Sequence, residues 1–243
     1  MSLFATFDNA ESAQIHCQFA VEWQPAPHSR RGELRCPIGG QDVGIAWELA
    51  GHADAPLLIV AGGFNEGRHV CGNDLDAIPG WWQAHADLLS RHRVLAINWL
   101  ENTSTAAQAD AIASVCKALG LPPARAFIGA SYGALVGLQF AARHARLAER
   151  VIAISGAHTL CAVQWARAGI GIATHALRPE TIAVPLGLIA VEGDSLAPAR
   201  TLAELAVRAP NAWLQKIVSV HGHAAYLKET AAIAAALNTA LDD

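Results

Sequence analysis

Ala126-Phe127-Ile128-Gly129-Ala130-Ser131-Tyr132-Gly133-Ala134-Leu135 passes from an apolar, strand-like run into an amphipathic helical one, with a single serine at the change. The pattern is G-x-S-x-G in the strand-turn-helix context that gives it meaning. A turn this tight needs Gly129 and Gly133, because a larger residue on either side of the serine would strike neighbouring backbone. The Ser131 hydroxyl is then raised above the end of the strand. The first amides of the following helix point to the same place, so the Tyr132 N–H can donate to an oxyanion.

Outward from this turn, apolar runs at residues 57–61, 94–98, 126–129, 151–155 and 186–191 alternate with helical patterns at 81–90, 105–119, 133–143, 198–209 and 224–241. Continuous apolar strands separated by helices predict a doubly wound α/β fold whose parallel sheet is buried on both faces. Residues 33–37 and 43–49 flank Gly39-Gly40 and predict an antiparallel hairpin at the sheet edge. Residues 1–32 read as an N-terminal arm and 33–243 as the domain, with a short lid-like insertion at 156–185.

A serine needs a base with a pKa near the working pH, and the base needs an orienting acid. In this kind of fold the chain order is serine, acid, histidine. The strand at 186–191 runs into a loop offering Glu192 and Asp194, of which Asp194 stands at the loop apex and is preferred. A final strand near 212–217 leads to His221 and His223, which the pattern alone does not separate.

A net charge of −4, with Lys and Arg scattered, leaves no electrostatic footprint for nucleic acid or an anionic membrane. No uncharged apolar stretch approaches the length a bilayer requires, and the best candidate, 181–191, ends at Glu192. The first residues lack a secretory signal pattern, so a soluble cytoplasmic protein is expected. Cys17, Cys36, Cys71, Cys116 and Cys161 form no CxxC pair and no histidines form HExxH, which argues against a disulfide scaffold or a metal centre.

Several blocks together give a more specific resemblance. The loop at 61–72 with His69-Val70 and Gly72, Pro79-Gly80-Trp81-Trp82, and Gln108-Ala109-Asp110 leading to Leu119-Gly120 precede or lead into the Ser131 elbow. Asp194-Ser195-Leu196-Ala197-Pro198 and Gly222-His223-Ala224-Ala225-Tyr226-Leu227 follow it. In this order they resemble the homoserine O-acyltransferases of the α/β-hydrolase type, over residues 33–240. The chain departs from that family in carrying only residues 156–185 where its members have a long helical lid, and Ala224 where they have an aspartate.

The resemblance implies an α/β-hydrolase fold with a much reduced lid and Ser131, Asp194 and His223 as the catalytic set. It selects His223 over His221 and makes the Phe64 N–H the second oxyanion donor beside Tyr132. It also suggests Arg167 as a grip for an amino-acid carboxylate, against the competing reading of an exposed helix arginine. The implied chemistry is transfer from acetyl- or succinyl-CoA to homoserine, in methionine biosynthesis, with no bound cofactor and a homodimer left open. Two other readings stand beside it: a serine esterase or thioesterase with an open site, and a non-catalytic binding relative.

Overall fold

The computed structural model describes residues 29–159 and 176–242. Eight strands form one sheet: β1 (Arg30–Ile38), β2 (Gln41–Ala50), β3 (Leu57–Ala61), β4 (Arg93–Ile97), β5 (Ala126–Ala130), β6 (Val151–Ile154), β7 (Leu186–Glu192) and β8 (Ala212–Val218). Their spatial order is β1-β2-β4-β3-β5-β6-β7-β8. The β1 to β2 and β2 to β4 pairings are antiparallel and the rest parallel. The sheet is therefore mostly parallel with an antiparallel hairpin at one edge, as expected.

The helices are α1 (Ala86–Leu89), α2 (Thr105–Ala118), α3 (Tyr132–Arg143), α4 (Ala199–Arg208), α5 (Ala225–Lys228) and α6 (Thr230–Asp242). One core joins side chains of α2, α3 and α4 to one face of the sheet, including Ile112, Leu138 and Leu205. A second core sets Leu88 of α1 and Ile233 and Leu237 of α6 against the other face. Every residue of β3, β5 and β6 is buried, which is why these strands read as unbroken apolar runs.

The chain moves from β3 to β4 on one side, and β5 then pairs with β3 on the other. This reversal opens a crevice beyond the ends of β3 and β5, the usual location of a ligand site in such sheets. The loop after β3 and the serine after β5 meet there.

Three sequence expectations are corrected in their extent. The hairpin strand begins at Arg30, inside the segment read as an arm, because two adjacent arginines, an exposed Arg30 and an Arg31 paired with the buried Glu48, interrupt the alternation. Its turn is formed by Gly39 and Gly40 at φ 58° and 84°, the positive values a tight two-residue connection requires. The helix read at 81–90 is confined to a 3₁₀ turn at Gln83–His85 followed by α1. The Trp81 and Trp82 amides instead donate to the carbonyls of His69 and Val70. The terminal helix is split into the 3₁₀ turn Gly222–Ala224, α5 and α6. Glu229, at the break, accepts a 2.8 Å bond from the Ser219 hydroxyl, a tertiary contact that an alanine-rich sequence does not announce.

A buried carboxylate ties the hairpin to the loop that precedes α1. Glu48 of β2 is 3% exposed and pairs with Arg31, with Asn73 Nδ2 at 2.7 Å and with His69 Nδ1 at 3.1 Å. Arg31 also bridges to Asp76 at 3.0 Å.

Candidate active site

Ser131 follows the last residue of β5 and caps α3 with φ 55° and ψ −114°. A non-glycine residue held there stores about 1–3 kcal/mol, which the surrounding structure must outweigh. The expected glycine requirement is met in full. A Cβ on Gly129 would lie 2.2 Å from the Gly133 carbonyl oxygen, and one on Gly133 would lie 2.1 Å from that of Ala61. The turn presents the Ser131 hydroxyl to His223, with Oγ 2.7 Å from Nε2.

His223 lies in the 3₁₀ turn that follows β8 and is reached through Gly222 at φ 51°. Its Nδ1 is 2.8 Å from Asp194 Oδ2 and 3.0 Å from Oδ1. Asp194 stands beyond β7 with its side chain fully buried. Oδ1 also accepts the backbone N–H groups of Leu196 and Ala197, both at 2.9 Å. The carboxylate is thus fixed on one side by amides and faces the imidazole on the other.

The competing candidates, Glu192 and His221, lie elsewhere. Glu192 is exposed and pairs with Lys216 at 3.3 Å. His221 Nε2 is 3.9 Å from Glu229, and its side chain is 38% exposed. A hydroxyl, an imidazole and a carboxylate in line can deprotonate the serine and orient the base, the arrangement required for a covalent acyl intermediate.

The two expected oxyanion donors are also brought together. Tyr132 is the first residue of α3, where backbone amides have no intrahelical acceptor. Phe64 is in the loop after β3, and its ring packs edge-on against the Tyr132 ring with centroids 5.4 Å apart. The Gly133 N–H donates to the Gly62 carbonyl at 2.8 Å, which joins the loop to the elbow. Arg167 and most of the lid-like insertion, 160–175, lie outside the described residues.

The double tryptophan also acquires a place. Trp82 donates its indole N–H to the Tyr226 carbonyl, and Trp81 donates to the Gly67 carbonyl at 3.0 Å. The rings stack with centroids 5.2 Å apart. The pair braces the loop after β3 on one side and the His223 segment on the other. Sequence reading missed Trp99, Glu66 and Tyr226 as neighbours of the site. The Tyr226 hydroxyl donates to Glu66 at 3.3 Å, and its ring faces that of His223 at 6.1 Å.

No family model matches the chain. A curated homoserine O-succinyltransferase from Xanthomonas campestris pv. campestris is 30% identical over 339 positions, which cover 99% of this chain and 91% of that protein. The chain belongs to the homoserine O-acyltransferase family of α/β-hydrolase-fold enzymes.

The alignment is longer than this chain's 243 residues, so that family member carries positions with no counterpart here. Among solved structures, a homoserine O-acetyltransferase from Bacillus anthracis has a TM-score of 0.70 at 12% identity, covering 86% of this chain and 98% of the other. Esterase E22 has a TM-score of 0.71 at 13% identity, covering 88% and 100%. At these identities the likeness concerns the fold, which transferases and esterases share. Among the described residues, no group of His, Cys, Asp or Glu could hold a metal ion, and no helix is long and apolar enough to cross a membrane.

Proposed function

We propose that this homoserine O-acyltransferase relative moves an acyl group from an acyl-CoA thioester to the hydroxyl of homoserine through an acyl-enzyme on Ser131. The observation that carries the mechanism is the unbroken line from Ser131 Oγ through His223 to the buried Asp194. The choice of acceptor rests on the name of the Xanthomonas relative.

In the first half-reaction, Ser131 Oγ attacks the thioester carbonyl while its proton passes to His223 Nε2. Asp194 steadies the imidazolium, and the Phe64 and Tyr132 amides receive the negative oxygen. The C–S bond then breaks, and the departing thiolate takes the proton from His223. In the second half-reaction, the acceptor hydroxyl gives its proton to His223 and attacks the ester carbonyl. The C–O bond to Ser131 breaks, and the serine is reprotonated.

A hydrolytic outcome is the second reading. Its specific support is the short connection between β6 and β7, together with a His223 side chain that is 18% exposed, within reach of water. Transfer in place of hydrolysis requires the acceptor to outcompete water.

The test is turnover of acetyl-CoA and succinyl-CoA with and without homoserine, following free thiol and the ester product. Homoserine-dependent thiol release with stoichiometric O-acylhomoserine supports the transferase. Equal thiol release without homoserine assigns a hydrolase, and no turnover together with no labelling by a fluorophosphonate excludes both.

A further inference from the structure

The Gly63–Phe64 peptide unit is held from an unexpected direction. The Gly63 carbonyl accepts the indole N–H of Trp99 at 2.8 Å and the backbone N–H of Glu66 at 3.2 Å. In a planar trans peptide the carbonyl and the N–H point to opposite sides, so anchoring the Gly63 oxygen sets the direction of the Phe64 N–H. The shorter bond comes from Trp99.

Trp99 follows β4 and stands edge-on to the Tyr132 ring, with centroids 4.9 Å apart. It therefore contacts the peptide carbonyl that precedes Phe64 and the ring of Tyr132. The backbone of the next residue, Leu100, is fixed at both its polar groups by one side chain. Its N–H donates to Gln108 Oε1 at 3.1 Å, and its carbonyl accepts from Gln108 Nε2 at 2.8 Å. Gln108 is on α2, 1% exposed, and also donates to the Thr103 hydroxyl at 2.9 Å.

We infer that Trp99, steadied by Gln108, is a positioning residue that aims the Phe64 amide at the oxyanion. The inference rests on the reading of Phe64 as an oxyanion donor. A half-buried indole needs an acceptor for its N–H, and any nearby carbonyl would serve that purpose. Here, however, the acceptor is the carbonyl paired with the donor amide, and it already has a partner in the Glu66 N–H. The Gly63 carbonyl does not need this second bond to be satisfied, and two donors on one oxygen restrain the tilt of its peptide plane. Donors preorganised around the developing charge are where transition-state stabilisation is concentrated.

The experiment compares Trp99→Phe, which keeps a ring against Tyr132 but removes the N–H, with Gln108→Met and the parent protein. Loss of a whole oxyanion donor costs about 10²–10³ in kcat, so a misdirected one should cost about tenfold. The expected result is that fall in kcat for Trp99→Phe, with KM for the acyl donor unchanged and the pH profile of kcat/KM unmoved. Affinity for an alkylboronic acid, whose adduct carries a negative oxygen at the same place, should fall by the same factor. Gln108→Met should show the same split at smaller size and keeps the test open if Trp99→Phe does not fold. A kcat within twofold of the parent, or a loss carried by KM, overturns the inference. If Ser131→Ala is inactive while Trp99→Phe is fully active, only the positioning role fails; if Ser131→Ala stays active, the acyl-enzyme reading fails instead.

Discussion

Trp82 donates its indole N–H to the backbone carbonyl of Tyr226 at 2.8 Å, joining residues 144 positions apart in the chain. Tyr226 lies three residues after His223, so this bond ties the base-bearing segment to the turn that precedes α1. Trp82 is 1% exposed and contributes a full side chain to the core. Trp82→Phe should lower stability by about 2 kcal/mol, from lost volume and an unpaired carbonyl. Chemical denaturation gives the stability change. Turnover at a temperature where the variant stays folded should fall as well, and wild-type turnover there would remove Trp82 from any role in holding His223.

Ser131→Ala should reduce turnover by more than about 10³-fold, the loss typical when a member of such a set is removed. Because Ser131 is held at φ 55°, Ser131→Gly should be equally inactive yet more stable than the parent by about 1 kcal/mol. Paired measurements of turnover and urea midpoint check both statements, and residual activity above about a hundredth of the parent's contradicts the first.

His223→Ala should match Ser131→Ala in its effect, whereas His221→Ala should leave turnover within about twofold. The double change at Ser131 and His223 should be barely worse than either single one, since the two act as a unit. Losses that multiply, or a crippled His221→Ala, would point to a different base.

For the acid, Asp194→Asn should cost about 10³–10⁴ in kcat, because an amide cannot steady the imidazolium and favours the wrong tautomer. Glu192→Gln should be nearly silent, its carboxylate being exposed and paired with Lys216. Steady-state kinetics on the two variants separate them; equal losses would count against Asp194.

Burial pushes the His85 imidazole down to about 4. The ring is 2% exposed and lies against Trp82, with centroids 4.7 Å apart. A base with a lowered folded-state pKa binds protons more readily when unfolded. Its contribution is therefore intact above the unfolded value, 6.5, and is lost as pH falls toward 4. Over that window His85 should account for a loss on the order of 3 kcal/mol. Urea unfolding at pH 7 and pH 4.5 should show a smaller acid penalty in His85→Phe than in the parent; an equal penalty would assign the acid sensitivity to other groups.

The inner strands of the parallel sheet were legible because burial on both faces leaves an unbroken apolar run. β3 spans Leu57–Ala61, the same residues the pattern indicates, and the other parallel strands differ by a residue or so at their ends. Ser131 was legible for a related reason: the glycines beside it answer local contacts with backbone only a few ångströms away. Asp194 and His223 needed more, since two candidates stood in each loop and only the family blocks separated the histidines. Trp99 gave no signal, because its significance depends on which distant carbonyl its N–H meets. The limits of the hairpin and the terminal helix depended likewise on contacts outside the local run, Arg31 with Glu48 and Ser219 with Glu229.

Glu48 bears on where the chain can be cut. Its carboxylate is sealed beneath the hairpin and takes its guanidinium partner from Arg31, two positions ahead of Glu33, where the hydrophobic pattern first suggests order. A truncation beginning at Glu33 would leave that anion without its cation, a penalty of about 3 kcal/mol. It would also loosen His69 and Asn73, and with them the approach to the tryptophan pair. The smallest autonomous unit should therefore start ahead of Arg30, so that the edge strand is retained with its charges.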